Sequence, residues 1–405
     1  MSALPVIQGD PVAIAPPSEA DPLLGVYRRP ATEFVRGEGM ELFDRDGTAY
    51  LDFTSGIGVN ALGYGDAGIV NAAREALEAG IVHASNLFHT APARALAAAL
   101  VERSFASSVF FCNSGAEANE GAFKFARRWA RAKYGEERNG IVALRGGFHG
   151  RLFASLAATD RPEYRAPFVP LAGGVAIVER DLDAIAQTLA QGTVAAVIAE
   201  PVQGEGGVRV LEPAFLAGLR QLTTQYGAAL ILDEVQCGLG RTGALFAHER
   251  AGIVPDLLTL AKPLAGGLPM GAVLMTGEIA AALRPGDHGT TFGGGPVVAT
   301  VALHVLERLA DPALLARVRA DGEWLGESLR AIAARTGRLR AVRGIGLMWG
   351  IDVMEPASEI IARAREQRQL LLCSAGDYTI RLLPPLVAQR ADLARGLARL
   401  EGALT

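Results

Sequence analysis

The sequence predicts an α/β fold, with a large domain built on a central, mostly parallel β-sheet and a smaller α+β domain. Two observations support this fold class. In the middle of the chain, short apolar segments alternate with helical patterns, as in buried parallel strands joined by helices. Towards both ends, polar and apolar residues alternate instead, which is typical of hairpins. A length of 405 residues fits about two or three domains.

The composition is that of a soluble globular protein. Half of the residues are apolar, 20% are charged, and the formal net charge is −4. This balance disfavours nucleic acid and anionic membranes as partners, and no apolar run approaches the ~18 residues of a membrane helix. Three widely spaced cysteines disfavour a disulfide framework and a zinc cluster, so a cytoplasmic location is expected.

The first residues predict a flexible lead-in over 1–24 and no secretory signal. Residues 1–22 contain five prolines, and the first basic residue is Arg28. A signal peptide needs a basic start followed by an unbroken apolar segment.

The large domain is predicted over residues 70–295. Its apolar segments predict strands at 109–112, 140–144, 194–199, 228–232 and 257–261. After the first of them, Ala118, Ala122, Phe125 and Trp129 follow one another at helical spacing.

The smaller domain is predicted from both chain ends, 25–69 and 296–405. Alternation around Asp46 and Gly47 predicts a hairpin over 39–53, and further strands are predicted within 339–353 and 379–383. Helices are predicted at about 297–335, 357–370 and 388–404.

Candidate functional residues follow the predicted strands. They are Asn113 to Ala116, Glu200, Asp233 and Lys262. Ligands of parallel α/β sheets gather at the carboxyl ends of the strands, so these side chains are expected to share one site. No third carboxylate is suitably spaced for magnesium beside Asp233 and Glu234, and no metal site is predicted.

The segment Ser114-Gly115-Ala116 begins a helix directly after a strand. Free N–H groups and the helix dipole make such a start suitable for binding phosphate. A simple helix cap explains the same residues, and for this segment alone that explanation is favoured.

Lys262 is the most informative single residue. Only three of the 39 basic residues are lysines, and Lys124 and Lys133 lie on a charge-rich helix. A lysine at the ligand-binding edge of a sheet, in a chain that otherwise uses arginine, indicates that a primary amine is needed. Asp233, at the end of another buried strand, needs a partner, which is an arginine, a metal or a cationic ligand.

The loop 146–151 supplies an aromatic ring, an imidazole and a guanidinium in Phe148, His149 and Arg151. The ring is suited to stacking on a flat cofactor and the guanidinium to binding a carboxylate, while His149 is expected to act as a hydrogen-bonding helper. A phosphate cradle, a buried aspartate, a stacking ring and an amine together fit pyridoxal 5′-phosphate.

These residues resemble class III pyridoxal-phosphate aminotransferases, and within that family the acetylornithine aminotransferases. The matching runs extend in family order from about residue 25 to 395. They are 85–88 (SNLF), 113–120 (NSGAEANE), 148–151 (FHGR), 200–207 (EPVQGEGG), 232–236 (LDEVQ), 240–243 (GRTG), 260–262 (LAK) and 288–294 (HGTTFGG).

The resemblance implies a type I fold and a homodimer with shared active sites. It implies that Lys262 forms the Schiff base with the cofactor and that Asp233 pairs with the pyridine nitrogen. It implies that Gly115 and Ala116 bind the phosphate, with Ser114 adjacent, and that Phe148 and Val235 pack on the two faces of the ring. It also implies that Gln236 contacts the phenolic oxygen, and that Thr291 binds the phosphate of the partner subunit's cofactor.

The resemblance also implies a substrate site. Arg151 takes the α-carboxylate, and Glu205 and Arg381 form a switchable pair that admits both an ω-amine and 2-oxoglutarate. The expected reaction is therefore transfer of the δ-amino group of N-acetylornithine to 2-oxoglutarate, in arginine biosynthesis.

Alternative activities remain open. Residues 164–168 and 375–386 also look like aminotransferases that act on carrier-protein-bound aminoadipate semialdehyde in lysine synthesis. Succinylornithine, ornithine and 4-aminobutyrate are further candidate donors, although Ile57, where ornithine aminotransferases usually have tyrosine, argues mildly against free ornithine. An aminomutase or decarboxylase is disfavoured by the Glu205 and Arg381 pair, and a non-catalytic binding protein by Lys262.

Overall fold

The structure is a computed structural model that describes residues 22–405. Most of the predicted lead-in at 1–24 therefore lies outside the described residues. The strands are β1 (Phe34–Glu38), β2 (Glu41–Asp44), β3 (Ala49–Asp52), β4 (Ser108–Cys112), β5 (Gly140–Leu144), β6 (Val175–Val178), β7 (Val194–Ala199), β8 (Val202–Gln203), β9 (Arg209–Val210), β10 (Ala229–Asp233), β11 (Leu257–Leu260), β12 (Gly271–Met275), β13 (Leu339–Ile345), β14 (Met348–Val353), β15 (Leu370–Leu371), β16 (Cys373–Ser374) and β17 (Thr379–Leu382).

Helices cover the sheets and connect their strands. They are α1 (Ser55–Gly58), α2 (Ala67–Glu78), α3 (Ala91–Glu102), α4 (Gly115–Tyr134), α5 (Phe153–Ala157), α6 (Pro162–Arg165), α7 (Leu182–Leu189), α8 (Pro213–Tyr226), α9 (Gly277–Ala281), α10 (Pro296–Leu309), α11 (Pro312–Thr336), α12 (Ala357–Arg368) and α13 (Arg390–Leu404), with short 3-10 turns at Ala166–Phe168 and Ala247–Ala251. No helix in the described part of the chain is both long and apolar enough to span a membrane.

The central sheet has seven strands in the order β4-β12-β11-β10-β7-β5-β6. All neighbouring pairs are parallel except those of β12, which runs antiparallel to both β11 and β4. The predicted mostly parallel sheet is thus confirmed. Every residue of β7, β10, β11 and β12 is buried, which explains their largely apolar character.

The long helix α4 begins directly after β4 because Ser114 caps it. The Ser114 hydroxyl accepts a hydrogen bond from the Glu117 N–H at 3.2 Å. Ala118, Ala122 and Phe125 are buried on one face, and this face packs against β12, β11 and β7. The helix start is thereby held at the carboxyl edge of the sheet.

The single helix predicted at about 297–335 is two helices, α10 and α11. The break lies at Asp311 and Pro312: the Asp311 carboxylate accepts the Ala313 N–H at 2.9 Å, and a proline fits the first position of a helix but not its interior. The apolar periodicity continues across the break because both helices bury one face.

The two ends of the chain meet in a small sheet. β15, from the C-terminal part, pairs in parallel with β3, with Leu370 opposite Leu51. A second small sheet has the order β13-β14-β17-β16 and is antiparallel. Both sheets fit a domain built from both chain ends, while the boundaries at 24, 69 and 295 stay predictions.

Candidate active site

A cavity of about 410 Å³ lies at the carboxyl ends of β4, β7, β10 and β11. The structure brings most of the predicted site residues into its wall. They are Ser114, Gly115, Ala116, Phe148, His149, Arg151, Glu205, Asp233, Val235, Gln236 and Lys262. The parallel direction of these strands explains the convergence of segments that are distant in sequence.

Asp233 is the centre of a buried hydrogen-bond network. Its carboxylate accepts hydrogen bonds at 2.8 Å from the Asn119 amide and from Nδ1 of His149, and at 3.1 Å from the N–H of Val235. Asn119 is itself held by the Thr259 hydroxyl at 2.8 Å. The network fixes the orientation of the carboxylate and provides it with hydrogen-bond donors inside the cavity wall.

Lys262 follows β11 by two residues and projects into this cavity. Burial, together with the positive charge of Arg381, lowers the pKa of its amine below the ordinary value. No carboxylate lies within ion-pair distance of this amine among residues 22–405. A lowered pKa makes the neutral form of the amine, which is the nucleophile and proton carrier, easier to reach.

The start of α4 forms one end of the cavity. Gly115 lies so close to Val235 that a Cβ atom at residue 115 would be 2.6 Å from Cγ1 of Val235. The glycine therefore allows the start of α4, with its free N–H groups, to pack directly against Val235.

Glu200 connects two loops of the cavity wall. Its carboxylate accepts the N–H of Phe148 at 2.8 Å and the N–H of Gly204 at 3.2 Å. Burial raises the pKa of Glu200 to about 7; His149 opposes this shift and Asp233 adds to it. Glu200 thus holds the loop of the stacking ring against the turn that carries Glu205.

Glu205 and Arg381 form an ion pair at 2.7 Å, and Arg381 is almost completely buried. The same guanidinium donates to the Gln236 side-chain oxygen at 2.9 Å. In this state Gln236 supports the ion pair, so its predicted contact with the phenolic oxygen of a cofactor stays a prediction. The pair joins the turn between β8 and β9, which carries Glu205, to β17, which carries Arg381.

Arg151 is exposed at the cavity mouth and lies over the ring of Tyr164, with its guanidinium carbon 3.5 Å from the ring centroid. The Phe148 ring is farther from it, at 5.9 Å. Stacking on Tyr164 orients the guanidinium and leaves its N–H donors free at the edges. The predicted role in binding a carboxylate fits this position and stays a prediction.

Thr291 is not part of this cavity. It lines a separate cleft of about 310 Å³ with Ser85, Asn86 and Phe292, where the Asn86 side chain donates to the Thr290 carbonyl at 2.7 Å. The structure therefore keeps Thr291 apart from Lys262 of the same chain. Its predicted contact with the cofactor of a partner stays a prediction.

Three contributors to the site had no predicted role: Asn119, Thr259 and Tyr164. Asn119 lies among the buried residues of α4, and a polar residue on an apolar helix face is the signal that marks it. Thr259 lies in an otherwise apolar strand and gives the same kind of signal. The stacking of Tyr164 under Arg151 has no such signal.

The expected cofactor fits these residues. A buried carboxylate faces the cavity in Asp233, and Nε2 of His149 is buried without a hydrogen-bond partner among the described residues. The space between Phe148 and Val235 suits a flat ring, and the start of α4 suits its phosphate. Lys262 supplies the amine that an aldehyde requires.

The shifted pKa of Glu200 leads to a testable stability difference. A carboxyl whose pKa is raised from 4.5 to about 7 by folding keeps its proton in the folded protein after the unfolded chain has lost it. Stability from this group therefore decreases as pH rises from about 4.5 to about 7.

The variant Glu200→Gln lacks this titration. The free energy of unfolding of the variant, minus that of the wild type, should increase by on the order of 3 kcal/mol from pH 4.5 to pH 8. Urea unfolding of the cofactor-free proteins at several pH values measures it. A difference that is independent of pH would show that Glu200 does not titrate in this range.

Comparisons with known proteins agree with this geometry. The family model for aminotransferase class-III matches residues 26–404. The mitochondrial acetylornithine aminotransferase of Alnus glutinosa is 43% identical over 377 residues, covering 92% of this chain and 83% of that protein. The N-acetylornithine aminotransferase structure from Stenotrophomonas maltophilia is 37% identical, has a TM-score of 0.82, and matches over 93% of this chain and 96% of its own.

A more distant structure agrees in fold and shows a bound cofactor. The ornithine aminotransferase of Toxoplasma gondii has a TM-score of 0.89 at 27% identity, covering 94% of this chain and 91% of its own. A second structure of that enzyme has PLP at its active site with partial occupancy.

Proposed function

The chain belongs to the class-III aminotransferase family, whose cofactor is pyridoxal 5′-phosphate, and from this premise we propose that it transfers the δ-amino group of N-acetylornithine to 2-oxoglutarate. The observation that carries the choice is the Glu205–Arg381 pair at 2.7 Å, in the same wall as Arg151 and Lys262. The reaction class itself, transamination, follows from the family.

Lys262 and Asp233 have different roles in the proposed reaction. The cofactor supplies the carbonyl that accepts the amine and the ring that withdraws electrons. Lys262 would hold the cofactor at its carbonyl through Nζ, and the same amine would take up and return the proton that the reaction moves. Asp233 would pair with the ring nitrogen and favour its protonated form, since its carboxylate is kept in place by Asn119 and His149.

The pair Glu205–Arg381 allows one cavity to accept two substrates that differ in their number of carboxylates. N-acetylornithine brings one carboxylate, which Arg151 binds, while its neutral acyl end needs no cation. 2-Oxoglutarate brings two carboxylates, so Arg381 must leave Glu205 to bind the second one. Free ornithine carries an additional charged amine that is costly to bury without a partner.

Glu205→Ala tests this switch. Without Glu205, Arg381 is always available to a second carboxylate, so the ratio of kcat/KM for 2-oxoglutarate to that for N-acetylornithine should rise by about tenfold or more. Single-turnover measurements of the two half-reactions give the ratio. Glu163→Ala, which removes an exposed acid from helix α6, is the control. An unchanged ratio would contradict the switch.

A donor panel tests the proposed function as a whole. Steady-state kcat/KM should be highest for N-acetylornithine and lower by about 100-fold for ornithine and 4-aminobutyrate. Succinylornithine and carrier-linked acylated lysine complete the panel. Preference for ornithine would overturn the assignment, and preference for carrier-linked lysine would move the enzyme to lysine synthesis.

We also propose a cytoplasmic homodimer with shared active sites. Thr291 lies outside the Lys262 cavity of its own chain, and beside it Leu87, Phe88 and Phe292 are 87%, 72% and 67% exposed. Large apolar side chains exposed together indicate a covered surface. The three free cysteines suit a reducing compartment. Sedimentation of fully active enzyme as a monomer would contradict the dimer.

A further inference from the structure

A second polar groove lies away from the Lys262 cavity and is lined mainly by arginines. It measures about 430 Å³, and its wall includes Arg180, Arg209, Arg250, Arg330 and Arg343, with Glu212 as the one carboxylate among the lining residues. It adjoins another cavity of about 620 Å³, since both are lined by Arg250 and Arg330. Such a concentration of one charge in a concave surface attracts anions.

The five arginines come from five different elements. Arg180 follows β6, Arg209 lies in β9, Arg250 in the 3-10 turn at 247–251, Arg330 in α11 and Arg343 in β13. They therefore approach the groove from several sides. This arrangement differs from a charged helix face, where the side chains project in one direction into solvent.

Four of these arginines have no ion-pair partner in the described part of the chain. Arg343 is the exception, with a two-pronged pair to Asp352 at 2.6 and 2.7 Å. Arg209 donates only to the Gly206 carbonyl, and Arg330 lies over the Trp349 ring. Elsewhere on the surface, Arg335 pairs with Glu401 at 3.0 Å.

Two arginines of the groove, Arg180 and Arg250, have pKa values below the ordinary value for arginine. Burial and the charge of Arg209 lower the pKa of Arg180, and burial lowers the pKa of Arg250. A bound anion would offset the repulsion between Arg180 and Arg209. Guanidinium groups bind phosphate and carboxylate oxygens in a planar, two-pronged geometry.

We propose that this groove is a binding site for a small polyphosphate anion, separate from the cofactor phosphate site at the start of α4. A chain of phosphate groups presents oxygen acceptors in all directions, which suits arginines that converge from five elements. The concave shape of the groove favours a small molecule over a membrane surface. The inference does not depend on the substrate assigned to the enzyme.

Isothermal titration of the cofactor-saturated enzyme with pyrophosphate tests the site. The holoenzyme is used so that the cofactor's own phosphate fills the cradle at Ser114 to Ala116. Pyrophosphate should bind saturably, and its affinity should fall steeply as the salt concentration rises. Inorganic phosphate should bind more weakly, because it reaches fewer arginines. Absence of saturable binding to the wild-type enzyme would overturn the proposal.

Matched variants locate the binding. The double variant Arg180→Gln/Arg250→Gln removes two exposed cations that form no ion pair, and Kd for pyrophosphate should rise about 30-fold or more. Arg338→Gln removes an equally exposed arginine without an ion pair that does not line the groove, and it should bind like the wild type. Equal Kd values for the double variant and the wild type would overturn the site.

Citrate distinguishes phosphate from carboxylate recognition. It carries a comparable charge without phosphate groups and should bind more weakly than pyrophosphate. Tighter binding of citrate would overturn the phosphate assignment. Transaminase activity of the double variant should equal that of the wild type, because neither arginine lines the Lys262 cavity.

Discussion

Lys262→Ala is expected to abolish transamination, with kcat falling by about 10⁴-fold or more. In the proposed mechanism the change removes both the amine that anchors the cofactor and the group that moves the proton at the reacting carbons. Burial and the Arg381 charge already favour the neutral amine needed for both roles, and no other lysine lies in the cavity wall. Steady-state kinetics with N-acetylornithine and 2-oxoglutarate measure the loss.

Two controls separate chemistry from folding. Lys262→Arg keeps a cation of similar length but cannot form the bond to the cofactor aldehyde, so it should be as inactive as the alanine variant. Lys133→Ala removes a surface lysine that pairs with Glu278 at 2.6 Å and should remain fully active. Appreciable turnover by Lys262→Ala would rule out the role assigned to this residue.

Asp233→Asn has the second largest expected effect, a decrease in kcat of at least about 100-fold. The amide has nearly the same shape but cannot carry the negative charge that holds a proton on the ring nitrogen. Its NH₂ group would also face the donors of Asn119 and His149, which now both point at the carboxylate. Kinetics and absorbance spectra of the loaded enzyme measure the change.

Asp321→Asn is the matched control for loss of a buried acid. Asp321 is 4% exposed and pairs with Arg390, far from the Lys262 cavity wall. This variant should lose stability while keeping kcat. Activity of Asp233→Asn within a few-fold of the wild type would contradict the pairing of Asp233 with the ring nitrogen.

The elements of the fold that could be predicted were those with a signal in their own short stretch of sequence. Buried strands such as β7 and β10 are recognisable because both of their faces are covered, which leaves a continuous apolar run. Neither β12 nor β6 was predicted from the sequence. The segment of β12 is apolar too, but its antiparallel position between β11 and β4 depends on pairing with β4, whose residues lie more than 150 positions away.

The predictable part of the site was the chemistry of single residues. Lys262 and Asp233 were identifiable because an amine and a carboxylate at strand ends need a partner. The Glu205–Arg381 pair was implied only by the family resemblance, because nothing local in β17 indicates its partner. The stacking of Arg151 on Tyr164 depends on how two loops fold together, which the spacing of the residues does not specify.

The central claim is the transfer of one particular nitrogen, and it can be followed directly. N-acetylornithine labelled with ¹⁵N at the δ position is incubated with the holoenzyme and 2-oxoglutarate, and the products are identified by mass spectrometry. The account predicts ¹⁵N-glutamate together with an equal amount of N-acetylglutamate 5-semialdehyde. Without 2-oxoglutarate it predicts no glutamate, and no more semialdehyde than one equivalent per active site. Three results would contradict this account: release of ¹⁵N-labelled ammonia, release of carbon dioxide, or formation of unlabelled glutamate.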